Sequence, residues 1–497
     1  MLKSISLENY KCFKNSGEIE IAPLTILCGV NSSGKSSILK SLLMLKQSYE
    51  SNYSKGELLF SGKDVDNGTF KDITFNGLEK TFTLKTSFAI DGTPVDKDKK
   101  EEYHADFSCF KDLNKIYEQF NCNKVNIYFK ISIGIKVLGN INPKSPFQAI
   151  RNSILDYKIS IRMCEKNSDK CIYKSSIFFK KGYDKKYTIK FENFPLIKEE
   201  NNLFSINEEI KECSCYFNGI KIVKIYSDKP SVKHDMNNLL PNVYMIFDII
   251  STQFFNIKHM SPLREDPSRR YIITHGITES SPAGEDFAQI LAQYGSQSKD
   301  FTFIKESKDS ECTFYNDITT LSNAVQIWSS YLSMGKLNLE HNEEILKVNV
   351  SGHNLIDVGF GISQSLPILV AGLQAPKEST IIFEQPEIHL HPKSQMNIAD
   401  FLLSLSLSNK NVIVETHSDH IINRIIRRIL ENKDKTLYDN VKIYFVRQEP
   451  SEEYGIISTV NPVKIDMVKG FIEADEDFFS QFSSESMKIF EAGLNNS

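Results

Sequence analysis

The sequence lacks the features that would place a protein in a membrane or outside the cell. No uninterrupted apolar run approaches the roughly 20 residues that a membrane-spanning helix needs. The start, MLKSISLENYKCFKN, lacks the apolar centre of a signal peptide. The nine cysteines are scattered without a CxxC pair, which argues against a zinc site or a disulfide framework. We therefore expect a cytoplasmic protein with no membrane partner.

A strong net charge is also lacking. The chain carries 59 Lys and Arg against 63 Asp and Glu, a formal net charge of −4. Attraction of the whole chain to nucleic acid or to an anionic membrane is therefore not expected, although a local basic patch is compatible with this balance. With 497 residues, of which 40% are hydrophobic, the chain is long enough for two or three globular domains.

A phosphate-binding pattern is present near the N-terminus. The apolar run in EIAPLTILC, residues 20–28, predicts a strand, and GVNSSGKSS, residues 29–37, predicts a glycine-rich loop before a helix. Gly29 and Gly34 allow the backbone to turn its N–H groups toward phosphate oxygens. Lys35 is expected to reach the β- and γ-phosphates of ATP.

The hydroxyl after this lysine predicts a metal ligand. Ser36 is expected to bind Mg²⁺, as the Ser or Thr of a P-loop does. The positive end of the following helix dipole adds to the attraction for phosphate. The remaining predicted nucleotide contacts of the loop are Asn31, Ser33 and Ser37.

A second nucleotide-binding half follows more than three hundred residues later. TIIFE, residues 380–384, predicts a buried parallel strand that ends in an acid, and Glu384 is expected to hold Mg²⁺ directly or through water. NVIVETHSDH, residues 411–420, predicts the next strand, and His417 just beyond it is expected to contact the γ-phosphate.

A glycine-rich turn precedes the second half. In NLIDVGFGISQSLPILVAGL, residues 354–373, the turn leads into a helix whose N-terminus suits a phosphate approaching from outside. Taken alone, this pattern also fits an ordinary helix start. The predicted phosphate-binding residues of the turn are Gly361, Ser363 and Gln364.

Together, GVNSSGKSS, VGFGISQSLP, FEQPEIHLHP and ETHSDH resemble the P-loop, signature, Walker B and switch-histidine motifs of ABC-type ATPase heads. More narrowly, the chain resembles the RecF/OLD/SMC-like AAA-family ATPases and, among them, PtuA-like anti-phage defence ATPases. HMSPLREDPSRRY, residues 259–271, and VDNGTFKDITFNG, residues 65–77, add to this resemblance. It implies an α/β P-loop NTPase fold, with a mixed β-sheet and helices on both faces.

The resemblance also implies how ATP is held. Two heads would sandwich two Mg-ATP molecules, with Lys35 of one subunit and Ser363 of the other on the same γ-phosphate. The signature departs from the usual LSGGQ because isoleucine stands where the second glycine would be. Lys11 lies where relatives contact the nucleotide, although a solvated charge at a strand end explains it equally well.

The order of the motifs predicts the domain organisation. We expect the two halves of the ATPase domain at 1–80 and 346–447, a β-rich insertion at 81–258, a helical return at 259–345, and a tail at 448–497 that docks on the core or a partner. Between 125 and 225, Ile, Tyr, Phe and Val alternate with lysine and show no sustained heptads, which predicts strands instead of a long coiled coil. Such alternation is typical of a half-buried sheet, and it is also compatible with nucleic-acid binding.

Further elements are predicted from periodicity. Helices are expected at 284–294, at 317–334 and, with a basic amphipathic pattern, at 420–431. A strand is expected at 441–447. In the tail, the acids Asp475 to Asp477 are typical of a solvated turn, and Phe478 and Phe479 are candidates for docking.

The residue after Glu384 raises a mechanistic question. Gln385 stands where many such ATPases have a catalytic glutamate, and an amide can orient water but cannot accept its proton. Glu387 either supplies the carboxylate or acts at a dimer interface, or hydrolysis is intrinsically slow. We favour slow turnover that Glu387 or a partner modulates. Metal binding by His389 and His391 is not expected without a third ligand.

Three functions follow from the resemblance. The first is an ATP-gated homodimer, or a larger homo-oligomer, that controls a separate effector such as an HNH or TOPRIM nuclease in phage defence. The alternative is a DNA-repair ATPase of the RecF/SMC type that binds DNA directly. A nuclease within this chain is not expected, because the strand–acid pattern of a TOPRIM domain does not follow His417.

Overall fold

The computed structural model describes most of the chain, and structural statements here concern that part. The described residues are 1–51, 58–91, 127–139, 152–165, 171–182, 186–197, 203–227, 230–272, 280–306, 312–341, 345–431, 436–466 and 472–473. The chain divides into two compact units. The first consists of Met1–Glu20, Ser36–Ile257 and Pro450–Ser458, and the second of Ile21–Lys35, Lys258–Glu449 and Thr459–Ser497.

The first unit is built on one antiparallel sheet. Its strands are β1 Leu2–Tyr10, β2 Phe13–Asn15, β3 Ile19–Glu20, β5 Thr81–Asp91, β6 Ile127–Gly139, β7 Asn152–Glu165, β8 Cys171–Lys181, β9 Tyr187–Ile197, β10 Leu203–Asn218 and β11 Lys221–Tyr226. Their order in the sheet is β11-β10-β9-β8-β7-β6-β5-β1-β2, and β3 also pairs with β1. The predicted β-rich segment is thereby confirmed. Because β5 pairs with β1, the boundary predicted at residue 80 falls within one compact unit.

Alternation explains why these segments form strands. Along β6, Ile131, Ile133, Ile135 and Val137 are buried, whereas the residues between them are partly exposed. A period of two places the apolar side chains on one face of the sheet. The other face carries the lysines that the sequence interleaves with them.

Helices cover the apolar face of this sheet. The helices are α1 Lys35–Glu50, whose first residue belongs to the second unit, α2 Phe70–Ile73 and α3 Pro230–Phe255. Phe247 of α3 packs against Tyr157 and Phe179, with ring centroids 5.6 and 5.9 Å apart. The α3 helix has 26 residues, and it is the longest helix in the described ranges. Over those ranges the fold therefore contains no long coiled coil, as predicted.

The second unit contains a largely parallel sheet. Its strands are β4 Leu24–Cys28, β12 Ile257–Met260, β13 Tyr271–Ile272, β14 Ser298–Glu306, β15 Cys312–Thr320, β16 Leu337–His341, β17 Ile345–Val350, β18 His353–Asn354, β19 Thr380–Glu384, β20 Asn411–Glu415, β21 Val441–Ser451, β22 Gly455–Pro462, β23 Lys464–Ile465 and β24 Ile472–Glu473. The main sheet has the order β12-β19-β20-β4-β21-β22, and β19, β20, β4 and β21 pair in parallel. Every residue of β4, β19 and β20 is buried, as expected for parallel strands covered on both faces.

The helices of the second unit connect these strands. They are α4 Phe287–Tyr294, α5 Leu321–Tyr331, α6 Phe360–Gln374, α7 Pro392–Leu407, α8 Asp419–Glu431 and α9 Thr436–Asn440. No helix in the described part of the chain combines the length and apolarity that crossing a membrane requires. The arrangement is the α/β P-loop ATPase fold that the motifs predicted.

Several predicted elements differ in extent. The helix expected at 284–294 begins at Phe287, and the one expected at 420–431 begins at Asp419. The helix expected at 317–334 begins at Leu321, because Asp317 to Thr320 pair with β14 in a hairpin. Thr320 then caps the helix by accepting a hydrogen bond from the backbone of Asn323. The strand expected at 441–447 continues to Ser451. The acidic and aromatic tail residues from Asp475 to Phe479 lie outside the described residues.

A buried ionic cluster joins α7 to α8. The carboxylate of Asp400 accepts hydrogen bonds from Arg424 at 2.7 Å and from Arg428 at 2.8 Å. The hydroxyl of Tyr331 donates to the same carboxylate at 2.7 Å. The basic helix predicted at 420–431 thus turns two of its arginines inward. They share the Asp400 carboxylate, and Arg428 also pairs with Glu431 at 2.9 Å.

We expect Asp400→Asn to destabilise the second unit severely. Removing one partner of a buried ion pair leaves an uncompensated charge, which costs about 3–5 kcal/mol. The matched control is Arg427→Ala on the same helix, whose exposed pair with Glu431 should contribute less than about 1 kcal/mol. Thermal unfolding of the three proteins measures the difference. Equal melting temperatures for Asp400→Asn and the control would contradict this assignment.

Candidate nucleotide site

The site forms at the carboxyl edge of the parallel strands in the second unit. Glu384 at the end of β19 pairs with Glu415 at the end of β20, and Glu415 pairs with Leu27 of β4. The backbone N–H of Gln385 donates to the carbonyl of Glu415 at 2.7 Å, and the N–H of Thr416 donates to that of Leu27 at 3.1 Å. These bonds fix the loops that follow the three strands beside one another.

The loop after β4 has the backbone of a phosphate-binding loop. Gly29 and Gly34 adopt φ values of 138° and 111°, which glycine tolerates far better than other residues. A Cβ at Gly29 would lie 2.1 Å from the carbonyl oxygen of Val446 on β21, so only glycine fits against the neighbouring strand. Asn31 is exposed at the loop tip, and Ser36 and Ser37 lie in the first turn of α1.

Lys35 is buried, and its ammonium group points into the loop. Its Nζ donates to the carbonyls of Gly29 at 3.0 Å and Val30 at 2.8 Å. Burial lowers the pKa of Lys35, while the Glu415 carboxylate opposes that shift. The hydroxyl of Ser33 is buried without a hydrogen-bond partner among the described residues. A phosphate entering the loop would offer oxygens both to this hydroxyl and to the ammonium group.

Lys11 lies in the first unit, on the turn between β1 and β2. Its Nζ donates to Asn67 at 2.6 Å, and its backbone N–H donates to Ile73 at 2.6 Å. Burial is the main cause that lowers its pKa, and nearby Lys40 adds to the effect. Its predicted contact with nucleotide stays a prediction.

Glu384 has a histidine partner that the motifs did not indicate. His259 on β12 places its Nε2 2.7 Å from Oε1 of Glu384, and both side chains are buried. The other ring nitrogen, Nδ1, is buried without a hydrogen-bond partner among the described residues. Nε2 is therefore assigned as the N–H that donates to the carboxylate. Such a donor fixes the orientation of a metal-binding carboxylate.

Arg264, from the PLR segment, lies behind the same turn. Its Nη2 donates to the backbone carbonyls of Glu384 at 3.2 Å and Gln385 at 3.3 Å. Burial lowers the pKa of Arg264 to about 10, and the charge of Glu387 opposes this. The guanidinium therefore stays charged and holds the turn in which Gln385 adopts a left-handed φ of 46°.

Glu387 is buried where the turn meets the loop after β20. Its Oε1 accepts a hydrogen bond from the backbone N–H of His417 at 2.9 Å, while Oε2 is buried without a partner among the described residues. Burial raises the pKa of Glu387, and the bonds from His417 and Thr416 and the charge of Arg264 partly offset it. The structure thus brings Glu387 and His417 together.

His417 faces the phosphate-binding loop. Its imidazole is exposed to solvent and hydrogen-bonds to the backbone of Gly29. Partial burial lowers the pKa of His417, and the nearby charge of Lys35 lowers it further. The ring is therefore mainly neutral at pH 7. A neutral imidazole has one N–H, so the ring could donate to a phosphate only in place of its bond to Gly29.

The signature residues lie at the start of α6 and face inward. Ser363 is buried, and its hydroxyl donates to the carbonyl of Phe360 at 2.8 Å. Gln364 is also buried and donates to the carbonyl of Glu265 at 3.5 Å. A Cβ at Gly361 would lie 2.7 Å from the carbonyl oxygen of His389. The exposed part of this helix start is Phe360, whose ring packs edge-on against His389 at 4.7 Å.

The second histidine of the HLH segment has a local structural role. His391 is the N-cap of α7, and its Nδ1 accepts a hydrogen bond from the backbone of Lys393 at 3.3 Å. Within the described ranges, no three His, Cys, Asp or Glu side chains are grouped as metal ligands.

The residues present fit Mg-ATP. Glu384 offers a carboxylate oxygen of the kind that Mg²⁺ prefers, and the buried Ser33 hydroxyl and the Lys35 ammonium suit phosphate oxygens. Sequence reasoning missed the supporting residues His259 and Arg264. The only signal was the HMSPLR segment, because both residues come from a part of the chain more than a hundred residues away from Glu384.

Comparison with known proteins gives a family match. The family model described as AAA ATPase domain matches residues 1–422 of the chain. No curated protein is significantly similar to it.

Similar solved structures include three SMC head domains. One, bound to the C-terminal winged-helix domain of ScpA, shares 12% identity, covers 94% of this chain and 98% of its own, and has a TM-score of 0.40. The SMC head domain from Thermotoga maritima shares 9% identity over 93% of this chain and 99% of its own, with a TM-score of 0.34. A head with an extended coiled coil, bound to the C-terminal domain of ScpA derived from Pyrococcus furiosus, shares 12% identity over 99% and 98%, with a TM-score of 0.36.

We expect His259→Ala to weaken Mg²⁺ binding, so that nucleotide binding requires a higher Mg²⁺ concentration. Loss of a hydrogen-bond donor behind a metal-binding carboxylate typically reduces metal affinity about 10–100-fold. His259→Gln keeps an N–H donor at a similar reach and should retain more affinity than alanine. Titration of Mg²⁺ against binding of a fluorescent ATP analogue measures the change. An unchanged Mg²⁺ midpoint in the folded alanine variant would exclude this role.

Proposed function

The chain belongs to the AAA ATPase domain family, whose model matches residues 1–422, and from this premise we propose that it is a slowly hydrolysing, ATP-gated switch. ATP binding is the part of this function that the family membership and the phosphate-binding loop support together. The slow turnover, the dimer and the effector are proposals that go beyond it.

Two parts of the second unit would hold Mg-ATP. Lys35 would exchange its bonds with the loop carbonyls for bonds with phosphate oxygens. Glu384 would hold Mg²⁺, whose charge would neutralise the phosphates and polarise the scissile bond. His417 would contact the γ-phosphate by exchanging its bond to Gly29 for one to a phosphate oxygen. The contact of Glu384 with His259 keeps its carboxylate oriented toward that position.

The proposal of slow turnover rests on the arrangement of side chains around Gln385. Gln385 has no group that accepts a proton from water, and loss of a general base typically costs 10²–10⁴-fold in rate. Glu384 is engaged by His259, and one oxygen of Glu387 is engaged by His417. Glu384 and Glu387 are thus each engaged through one carboxylate oxygen.

Glu387 is the best remaining candidate for a base. Its Oε2 has no hydrogen-bond partner among the described residues, and a raised pKa makes its carboxylate a better proton acceptor. Its bond to the backbone of His417 ties its position to the loop that would contact the γ-phosphate. A partner that shifts this loop would therefore change the turnover, which is the behaviour of a switch.

Slow hydrolysis suits a dimer that ATP holds closed. We propose that two copies sandwich two ATP molecules, with the start of α6 in one copy facing the phosphate-binding loop of the other. Ser363 would have to give up its bond to Phe360 to contact phosphate. The closed dimer would control a separate effector, an HNH or TOPRIM nuclease, in bacterial anti-phage defence. That last step rests on the resemblance of the motifs to PtuA-like ATPases.

We expect the purified chain to turn over ATP well below about 1 s⁻¹, the low end for typical enzymes. Gln385→Glu restores a carboxylate and should raise the rate about 100-fold or more. Gln385→Ala, which adds no base, is the matched control, and Lys35→Ala gives the blank. Phosphate release measures all four proteins. Fast turnover by the wild-type chain alone would overturn slow hydrolysis.

The pH dependence tests whether Glu387 is the base. A base must be deprotonated, so turnover should fall as the pH drops through the raised pKa of Glu387, at a higher pH than an exposed glutamate would give. Glu387→Gln should remove the limb and lower the rate. An unchanged profile in Glu387→Gln would assign the base elsewhere.

We expect Mg-ATP to drive dimerisation of Glu387→Gln, which would bind ATP without turning it over. Analytical ultracentrifugation should show a doubled mass with ATP, and Lys35→Ala should show no change. Phe360→Asp should block dimerisation while ATP binding by the monomer remains, because Phe360 is 45% exposed at the start of α6. Ile318→Asp, at a 75% exposed residue of β15, is the matched control. If the mass of all four proteins did not change with ATP, the ATP-sandwich dimer would be excluded.

A further inference from the structure

The solvent face of the first unit's sheet carries an ordered set of basic side chains. We define the basic face as four consecutive cross-strand rows on β5, β6, β7 and β8, which contain seven basic residues and one acid, Asp156. The whole chain, in contrast, has a net charge of −4. The basic residues are Lys85, Lys130, Lys136, Lys158, Arg162, Lys174 and Lys180.

The strand register places three cations in one row. Lys130 lies directly opposite Arg162, and Arg162 lies directly opposite Lys174. Like charges in direct cross-strand register destabilise a sheet. Within the described part of the chain none of the three forms an ion pair. If this sheet had only a structural role, replacing at least one of the three cations would stabilise it.

From β1 to β8 the next row contains only small hydroxyl side chains, and on β9 it ends at Glu192, which accepts a hydrogen bond from Ser176 at 2.8 Å. Ser4, Ser87, Ser132, Ser160 and Ser176 follow one another across five adjacent strands. Because successive same-face residues are about 7 Å apart along a strand, this row forms a shallow trough beside the cations. Ser132 and Ser160 in its middle are partly exposed.

The third row closes the trough on its other side. It contains Lys85, then Gly134, then Lys158, then Phe178, and it reaches Lys190 on β9. Lys85 and Lys158 are exposed, and Phe178 is partly exposed between Lys158 and Lys190. Lys190 is paired with Glu192 at 2.7 Å. The trough is therefore bordered by Lys130, Arg162 and Lys174 on one side and by Lys85 and Lys158 on the other. The ring of Phe178 lies at its margin.

We propose that the basic face binds a single strand of nucleic acid through its sugar-phosphate backbone. A positively charged groove that follows the backbone, with an aromatic ring for base stacking, is the usual chemistry of single-strand binding. A duplex is read by a helix or ribbon that enters one of its grooves, whereas the basic face consists of residues of sheet strands alone. The small serine side chains let the phosphates approach the sheet closely, and their hydroxyls can donate hydrogen bonds to phosphate oxygens.

This inference goes beyond the ATP-gated switch and does not depend on it. The basic face consists of residues of the first unit, whereas Lys35, Glu384 and His417 belong to the second. Lys35→Ala should therefore bind nucleic acid as the wild-type chain does. Loss of ATP binding and loss of nucleic-acid binding are thus separable results.

The test is fluorescence anisotropy of the full chain with a labelled single-stranded DNA of about 20 nucleotides, between 50 and 200 mM salt. Arg162→Ser with Lys174→Ser should weaken binding about tenfold or more at 0.1 M salt and reduce the salt slope by about 1.4, since each phosphate contact on a single strand contributes about 0.7. The double variant should keep or raise the melting temperature, because it removes repulsion between adjacent strands. Loss of binding therefore cannot be attributed to unfolding.

The matched control is Lys71→Ser with Lys224→Ser. Both lysines are exposed and lie on α2 and β11, outside the basic face, so binding should be unchanged. Equal weakening in the control would mean diffuse attraction and would overturn the proposal, as would absent binding by the wild-type chain. Tighter binding of a duplex of the same sequence would also overturn it. Equal or tighter binding of the corresponding RNA would support it, because the contacts are to the backbone.

Discussion

The parallel pairing of β4, β20 and β19 is the constraint on which the second unit depends. Strands from opposite ends of the sequence lie in register, so that Glu384, Glu415 and Leu27 reach the same edge of the sheet. Backbone hydrogen bonds across the ends of these strands then hold the loops that follow. Since parallel strands buried on both faces are apolar throughout, the polar chemistry of this unit concentrates where the strands end.

At that edge each charged group is already engaged by the protein. Lys35 bonds to loop carbonyls, Glu384 to His259, and Glu387 to the backbone of His417. A ligand must therefore replace these interactions instead of entering a site of free charges. Burial adds to this by lowering the pKa of Lys35 and raising that of Glu387. Both shifts express the cost of burying a charged group away from water.

The two units use charge in different ways. In the second unit, the carboxylate of Asp400 binds two buried arginines, and Arg428 also pairs with Glu431. In the first unit, the basic face places Lys130, Arg162 and Lys174 in direct cross-strand register without an ion pair among the described residues. An anion from outside the unit would relieve the repulsion between them. The contrast separates charges that stabilise the fold from charges that are available to a partner.

The sequence by itself determined the α/β fold and its motifs. Strand, glycine loop and helix are adjacent in the chain around Lys35. TIIFE and NVIVE each predict a buried strand through an apolar run. These patterns are local, so a single pass along the chain finds them. The extents of the elements were less certain, and the helix at Leu321 begins late because a hairpin partner competes for the preceding residues.

Only the tertiary structure decided which side chains support these motifs. His259 and Arg264 reach Glu384 and Gln385 across more than a hundred residues of chain, and no spacing rule predicts such a contact. The inward orientation of Ser363 follows from the burial of α6 rather than from its glycine-rich start. Likewise, alternating lysines predicted a half-buried sheet, but their alignment into rows depends on strand register. Register is set by pairing between distant segments, and the sequence of one strand does not contain it.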